Sequence, residues 1–278
     1  MEEKHMRTGR GAFVWGMIAA VLIGLLAWQM PAGCAVEADV RQVPVLMYHN
    51  FAPEDGSYTV SSERFREHLA ALETAGYETV TFAQLLAWVH DGGELPEKPV
   101  VLVSDDGYTG VLEYALPVLE EFDMVMSVAV IGDLLGVGGD GCLPHFSLAE
   151  LAAADSSGRI EPISHSFGLH GMREGMNGAV NLSLPASEYE EILAADCGAM
   201  GLYAETYPGL GQVFVYPYGA WSAESEAILA SCGYRVTVTT GYGAAQVSRG
   251  GELTLLPRIP AEWYSSGAAL LDAVSGIR

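Results

Sequence analysis

The 278 residues are 50% apolar and 17% charged, enough for a sizeable core, which excludes a disordered chain and accommodates one large domain. With 13 Lys and Arg against 35 Asp and Glu, the formal net charge is -22. Long-range repulsion then argues against nucleic acid and other polyanions and leaves neutral or cationic polymers as partners.

Lys4, Arg7 and Arg10 precede a run from Gly11 to Val36 that has no charged side chain. Its apolar part, Ala12 to about Met30, approaches the roughly 20 residues that span a bilayer and exceeds the core of a cleaved signal peptide. Residues 1–40 are therefore read as a signal anchor or signal peptide plus linker, with retention favoured over cleavage. The basic flank stays inside, and residues 41–278 form an extracytoplasmic domain, membrane-anchored or secreted. Cys34 follows Ala32-Gly33, which invites lipidation, although Pro31 stands where that motif takes Leu. Cys142, Cys197 and Cys232 make no Cys-x-x-Cys pair, so neither a zinc ribbon nor a redox motif is indicated. Cys197 and Cys232 are read either as a disulfide outside the cytosol or as free thiols.

From Val43 onward, apolar runs alternate with amphipathic stretches. Strands are predicted at Val43 to Tyr48, Val100 to Ser104, Met126 to Ile131, Ile160 to Ser164, Val213 to Tyr216, Tyr234 to Thr239 and Leu253 to Ile259. Several are almost wholly apolar, as strands buried on both faces must be. Helices are predicted over Ser62 to Ala75, where Phe65, Leu69 and Leu72 share a face and Ser61 or Ser62 caps the start, and near Gly110 to Phe122, Ser187 to Tyr203 and Ala223 to Cys232. Alternation implies parallel pairing and right-handed crossovers. About seven units indicate an α/β fold, a distorted or incomplete (β/α) barrel of about seven parallel strands, with reactive groups at the C-terminal strand ends.

The strongest local signal is Val100-Val101-Leu102-Val103-Ser104-Asp105-Asp106-Gly107, an apolar strand ending in two carboxylates and a glycine. Adjacent strand residues face opposite ways, so both carboxylates serve one site only where the strand bends, which Gly107 permits. One carboxylate can bind a cation while its neighbour accepts a proton, because the cation relieves their mutual repulsion. A second segment, Ile163-Ser164-His165-Ser166-Phe167-Gly168-Leu169-His170-Gly171, sets two histidines five residues apart after another strand. Neither a helix nor a strand aims that pair at one point. A turn does, with Gly168 and Gly171 supplying the flexibility, and two imidazoles plus one carboxylate make a facial ligand set with open positions.

These segments resemble the polysaccharide deacetylases of carbohydrate esterase family four, over roughly Val43 to Ile259. Ser104-Asp105-Asp106-Gly107 is similar to the family's Thr-Phe-Asp-Asp-Gly motif, His165 to His170 to its two-histidine motif, and Val215-Tyr216-Pro217-Tyr218-Gly219 to its third motif. The resemblance implies a metal-dependent hydrolase that removes acetyl groups from N-acetylhexosamine residues of an extracellular or cell-wall glycan. By it, Asp105 is the general base; Asp106, His165 and His170 hold a divalent metal, zinc first and cobalt, manganese or iron as alternatives; the Tyr218 backbone N–H helps bind the oxyanion; and Tyr216, Pro217 and Tyr218 contact substrate. Partners would be the glycan and, through the N-terminal segment, a membrane, with no nucleic acid.

There are departures. Ser104 replaces the usual Phe, Tyr216 stands where many members carry an arginine, and Leu255-Leu256-Pro257-Arg258-Ile259 lacks the histidine of the late Leu-x-His motif that supplies the general acid. His49, in Val45-Leu46-Met47-Tyr48-His49-Asn50 at the end of the first strand, is the substitute. Members resembling the biofilm poly-N-acetylglucosamine deacetylases begin with a similar segment and share the six-residue histidine motif. His5, His68, His90 and His145 are read as surface or packing residues. Two competing readings use the same residues differently: a membrane-tethered glycan-binding protein whose catalysis has decayed, and an O-acetyl esterase acting on xylan or wall polymers.

Overall fold

A computed structural model of the chain describes residues 39–139 and 142–276. The apolar N-terminal run, with its anchor or signal-peptide expectation and Cys34, lies outside the described residues. Among the described residues no helix is long and apolar enough to cross a membrane.

Seven strands pair in parallel in chain order: β1 (Val40–Tyr48), β2 (Pro99–Ser104), β3 (Met126–Val130), β4 (Ile160–Ser164), β5 (Val213–Val215), β6 (Val236–Tyr242) and, after an antiparallel strand β7 (Ala244–Ser248), β8 (Leu253–Pro260). β8 pairs back onto β1 and β1 onto β2, so the sheet closes into a (β/α) barrel of seven parallel strands. The closure is uneven. β4 and β5 share the single pair Ser164↔Phe214, and the β6–β8 register shifts twice. β7 lies outside the ring and pairs antiparallel with the start of β1.

Alternation along the strands divides the core. One buried cluster takes Val43 and Val45 from β1, Val101 and Val103 from β2, Ala129 from β3, Ile163 from β4, Val213 and Val215 from β5, Val236 and Val238 from β6, and Leu253 and Leu256 from β8. A set drawn from every barrel strand is the barrel interior, and helix α2 (Phe82–His90) adds Phe82, Leu85, Leu86, Trp88 and Val89 to it. The other parity, Leu46, Tyr48, Val100, Leu102, Met126 and Val128, packs against α1 (Ser62–Thr74), α3 (Leu116–Glu121), α4 (Leu148–Ser156) and α7 (Gly267–Gly276). On the far side, Phe214 and Tyr216 pack against α5 (Ala186–Ala204) and α6 (Ala223–Ser231). Burying a Val or Leu contributes about 1.5–3 kcal/mol, and a one-residue slip would reverse a whole strand. The apolar rows therefore fix which way the polar residues at the strand ends point.

The predicted helices form, with Ser61 as the cap of α1, accepting from the Arg64 N–H. The turn chemistry of α2 and α4, Thr81 with Gln84 and Ser147 with Glu150, makes two capping boxes. Cys197 is buried and Cys232 exposed, both as free thiols.

Candidate active site

The inward rows of the barrel continue past their last apolar residue into polar ones. Two residues beyond Met47, Val103, Ile163 and Leu256 stand His49, Asp105, His165 and Arg258, and all four line a cavity of about 750 Å³ at the C-terminal mouth. Strand parity thus places the general-acid and general-base candidates and one imidazole on the same inner wall.

Asp106, by parity, should face away. Its backbone instead turns left-handed, with φ 71° at Asp106 and 74° at Gly107, and the His145 ring Nδ1 lies 2.9 Å from the Asp106 carbonyl oxygen. A side chain at Gly107 would place its Cβ 2.9 Å from Val130 Cγ1, so glycine is required by space as well as by φ. The histidine segment turns at Ser166, φ 69°, whereas neither Gly168 nor Gly171 takes a positive φ. The expected role of those glycines is thereby corrected: Ser166 makes the bend. Asp196 of α5 secures it, its carboxylate accepting the N–H groups of Phe167 at 2.9 Å and Gly168 at 2.7 Å.

The two bends bring Asp106, His165 and His170 together. Their ligand atoms lie within 4.8 Å of one another, with Asp106 Oδ1 3.6 Å from His165 Nε2 and 3.3 Å from His170 Nε2. Atoms bonded at about 2.1 Å to a common ion and subtending 90–109° are about 3.0–3.4 Å apart; the His170 spacing falls in that range and the His165 spacing lies just beyond it, so a small inward shift of the trio would close it on a divalent cation. Two further observations fit. Asp106 Oδ1 is buried without a hydrogen-bond partner, a costly state that a cation would relieve. The His165 Nδ1–H donates to the Val215 carbonyl at 2.7 Å, which leaves Nε2 as the free lone pair. Burial lowers the His165 pKa against the raising influence of Asp105 and Asp106, favouring the neutral, ligating form.

Asp105 is 2% exposed and paired with Arg258, 1% exposed, whose Nη1 donates to both carboxylate oxygens at 2.7 and 2.8 Å while Nε donates to the Thr239 carbonyl. Burial alone would raise the Asp105 pKa, but the Arg258 guanidinium, helped by His165 and His49, holds it below the ordinary carboxylate value. His49 lies on the opposite side of the balance. Burial would lower its pKa, yet the hydrogen bond from Nδ1 to Glu262 at 3.1 Å and the charges of Asp105, Glu262 and Asp106 raise it above the usual imidazole value. The His49 and Asp105 environments therefore drive a protonated imidazole and an ionised carboxylate into one cavity.

Of the other expected residues, Tyr218 lines the cavity, 53% exposed, with its ring 4.8 Å from that of His170 and φ 60°. The next residue, Gly219, would strike Thr240 Oγ1 with any Cβ. Tyr216 and Pro217 do not reach the cavity as expected contacts. Both are buried, and Tyr216 follows the outward parity of Phe214, its hydroxyl donating to Glu226 at 2.6 Å. His68 is fully buried between Tyr48 and the Tyr264 carbonyl, and His145 backs Asp106. Arg258, Glu262, Asp196 and His145 are parts of the site that no sequence motif marks.

Comparison with known proteins agrees with the geometry. Residues 92–237 match the polysaccharide deacetylase family. YxkH of Bacillus subtilis (strain 168), named for that family, is 27% identical over 228 residues, 82% of this chain and 74% of that one. The poly-beta-1,6-N-acetyl-D-glucosamine N-deacetylase of Escherichia coli (strain K12) is 27% identical over 242 residues, 77% of this chain but only 36% of the longer protein. Among solved structures, IcaB from Ammonifex degensii superposes with a TM-score of 0.69 at 23% identity, over 84% of this chain and 96% of that one. The matched span contains both carboxylates, both histidines and the Tyr-Pro-Tyr-Gly turn, and the chain belongs to the polysaccharide deacetylase family.

Proposed function

We propose that this protein hydrolyses the acetamido groups of N-acetylhexosamine residues in an extracellular or cell-wall glycan, using one divalent cation held by Asp106, His165 and His170. The observation that carries the reading is the orphaned Asp106 Oδ1 converging with two imidazoles beside a buried, ionised Asp105. A pure glycan binder has no use for that arrangement. The name of the Escherichia coli relative supports an N-acetylglucosamine polymer as substrate, and the apolar N-terminal run supports a domain tethered or secreted outside the cytosol.

An amide is a poor electrophile and water a poor nucleophile. When bound, a divalent cation there supplies polarisation of the acetyl carbonyl and a lower pKa for the attacking water. Asp105 accepts the proton of that water, and Arg258 both orients Asp105 and keeps it ionised. The developing oxyanion is met by the backbone N–H of Tyr218. His49, held by Glu262, donates its proton to the departing amine nitrogen, so acetate and a free amino sugar result.

Glu262→Gln removes the charge that raises the His49 pKa. Because the general acid works only when protonated, the alkaline limb of the rate profile should move to lower pH while the acid limb stays in place. An unmoved alkaline limb would exclude His49 as the acid.

The reaction itself is tested by acetate release from N-acetylglucosamine oligomers, peptidoglycan and poly-N-acetylglucosamine, before and after chelation and with zinc, cobalt, manganese or iron restored. Release that stops on chelation and returns with one of these ions is the expected result. Release from none of the glycans, or release indifferent to chelation, would sink the proposal.

A further inference from the structure

Tyr58 is anomalous in a way that folding does not explain. It sits in the turn between the short strands Asn50–Ala52 and Thr59–Ser61, where Gly56 and Thr59 exchange backbone hydrogen bonds and the Tyr58 carbonyl accepts the Asn50 N–H at 3.0 Å. Its φ is 55°, a left-handed conformation that glycine or asparagine takes readily and a bulky aromatic residue avoids. Burial of the ring does not offset that strain, because Tyr58 is 63% exposed. The ring instead borders the cavity and lies edge-on to His49, with centroids 5.2 Å apart. A strained residue whose side chain returns nothing to the core is a candidate for ligand contact.

The position of the ring defines the ligand part it meets. Resting on the catalytic roles proposed above, His49 delivers its proton to the amine nitrogen, which is bonded directly to the pyranose ring, whereas the acetyl carbon lies toward Asp106, His165 and His170. The sugar must therefore extend from the nitrogen on the His49 side, where Tyr58 stands. Tyr218, packed on His170, stands on the acetyl side. A pyranose offers a flat C–H face and a rim of hydroxyls, and an aromatic ring complements that face without any charge. The cavity's acidic and basic side chains come from His49, Asp105, Asp106, His165, His170 and Arg258, the reacting and supporting groups, and its rim carries Tyr58, Tyr218 and Tyr242. We infer that Tyr58 is the stacking platform for the sugar ring whose acetamido group is cleaved, making it a specificity-determining residue for hexosamine glycans.

Tyr58→Gly removes the ring and suits the backbone, so the folded state should survive, as a thermal midpoint at or above that of the wild type would show. Tyr58→Phe keeps the platform. In the full chain, the ratio of kcat/KM for the N-acetylglucosamine tetramer to that for 4-nitrophenyl acetate, which has no sugar, should fall about ten-fold or more in Tyr58→Gly, the loss expected for one stacked aromatic, and by less than about two-fold in Tyr58→Phe. Calorimetric binding of the tetramer to metal-free protein should weaken in parallel. A Tyr58→Gly protein that binds the tetramer as tightly as the wild type overturns the platform even if deacetylation is intact. A wild type that binds the tetramer and releases no acetate would overturn the deacetylase reading instead, and tetramer binding lost in Tyr58→Gly would then still support the platform.

Discussion

Asp105→Asn should lower acetate release by about a thousandfold, within the range for loss of a positioned proton acceptor, while the protein still binds its cation. The asparagine keeps an oxygen for the Arg258 N–H but cannot take a proton, so the reaction loses its base and the Asp106, His165 and His170 trio is untouched. The fold pays a separate penalty. Arg258 is 1% exposed and loses its counter-charge, which in a buried pair costs about 3 kcal/mol. Denaturant titration should show that loss in the variant even without metal. The pH dependence has a definite sign. With its folded pKa held below the ordinary carboxylate value, Asp105 contributes stability above the unfolded pKa, and that contribution disappears as pH falls through the folded one. The wild type should therefore lose the Arg258 contribution only in strong acid, and Asp105→Asn should flatten that part of its stability curve. Retention of more than about a tenth of wild-type turnover in Asp105→Asn would remove Asp105 from the role of base.

His165→Ala should give the opposite pattern of binding. Outer-shell partners of a metal typically matter by about 10- to 100-fold in affinity, so removal of an inner ligand should weaken binding by more than about a hundredfold and take turnover with it. The Val215 carbonyl also loses its donor, worth about 1–3 kcal/mol when the acceptor is left buried. Isothermal titration with zinc or cobalt separates the two variants: Asp105→Asn inactive with the ion bound, His165→Ala inactive because the ion is lost. Equal affinities in wild type and His165→Ala would place the ion elsewhere.

The barrel was legible because its strands are apolar on both faces. All seven predicted runs form strands, since a segment such as Val100-Val101-Leu102-Val103 can be buried only between a filled interior and a layer of helices. Less legible was α2. At nine residues it is short, although Phe82, Leu85, Leu86 and Val89 recur at helical spacing on its buried face and Thr81 and Gln84 announced its start. Parity explains both the successes and the failures at the site. His49, Asp105 and His165 each lie two residues past an inward apolar position and point inward with it. Tyr216 shares the parity of Phe214 and points away, which the alternation in Val213-Phe214-Val215-Tyr216 could have disclosed. Arg258 could not be found in this way. A left-handed Leu255, φ 55°, accompanies a register shift that turns both Leu253 and Leu256 inward, and only after that irregularity does Arg258 face Asp105. Glu262 meets His49 across 213 positions of sequence, a contact that barrel closure alone creates. Asp196 is likewise an acidic residue in the middle of a helix, and nothing in its neighbours distinguishes it from a solvated one.

Crystals of the domain grown with one equivalent of zinc, measured at the zinc absorption edge, address the cation site itself. A single anomalous peak bonded to an oxygen of Asp106 and to Nε2 of His165 and His170 at about 2.0–2.2 Å is predicted. A fully occupied ion bound away from these three side chains, with the trio empty, would contradict it.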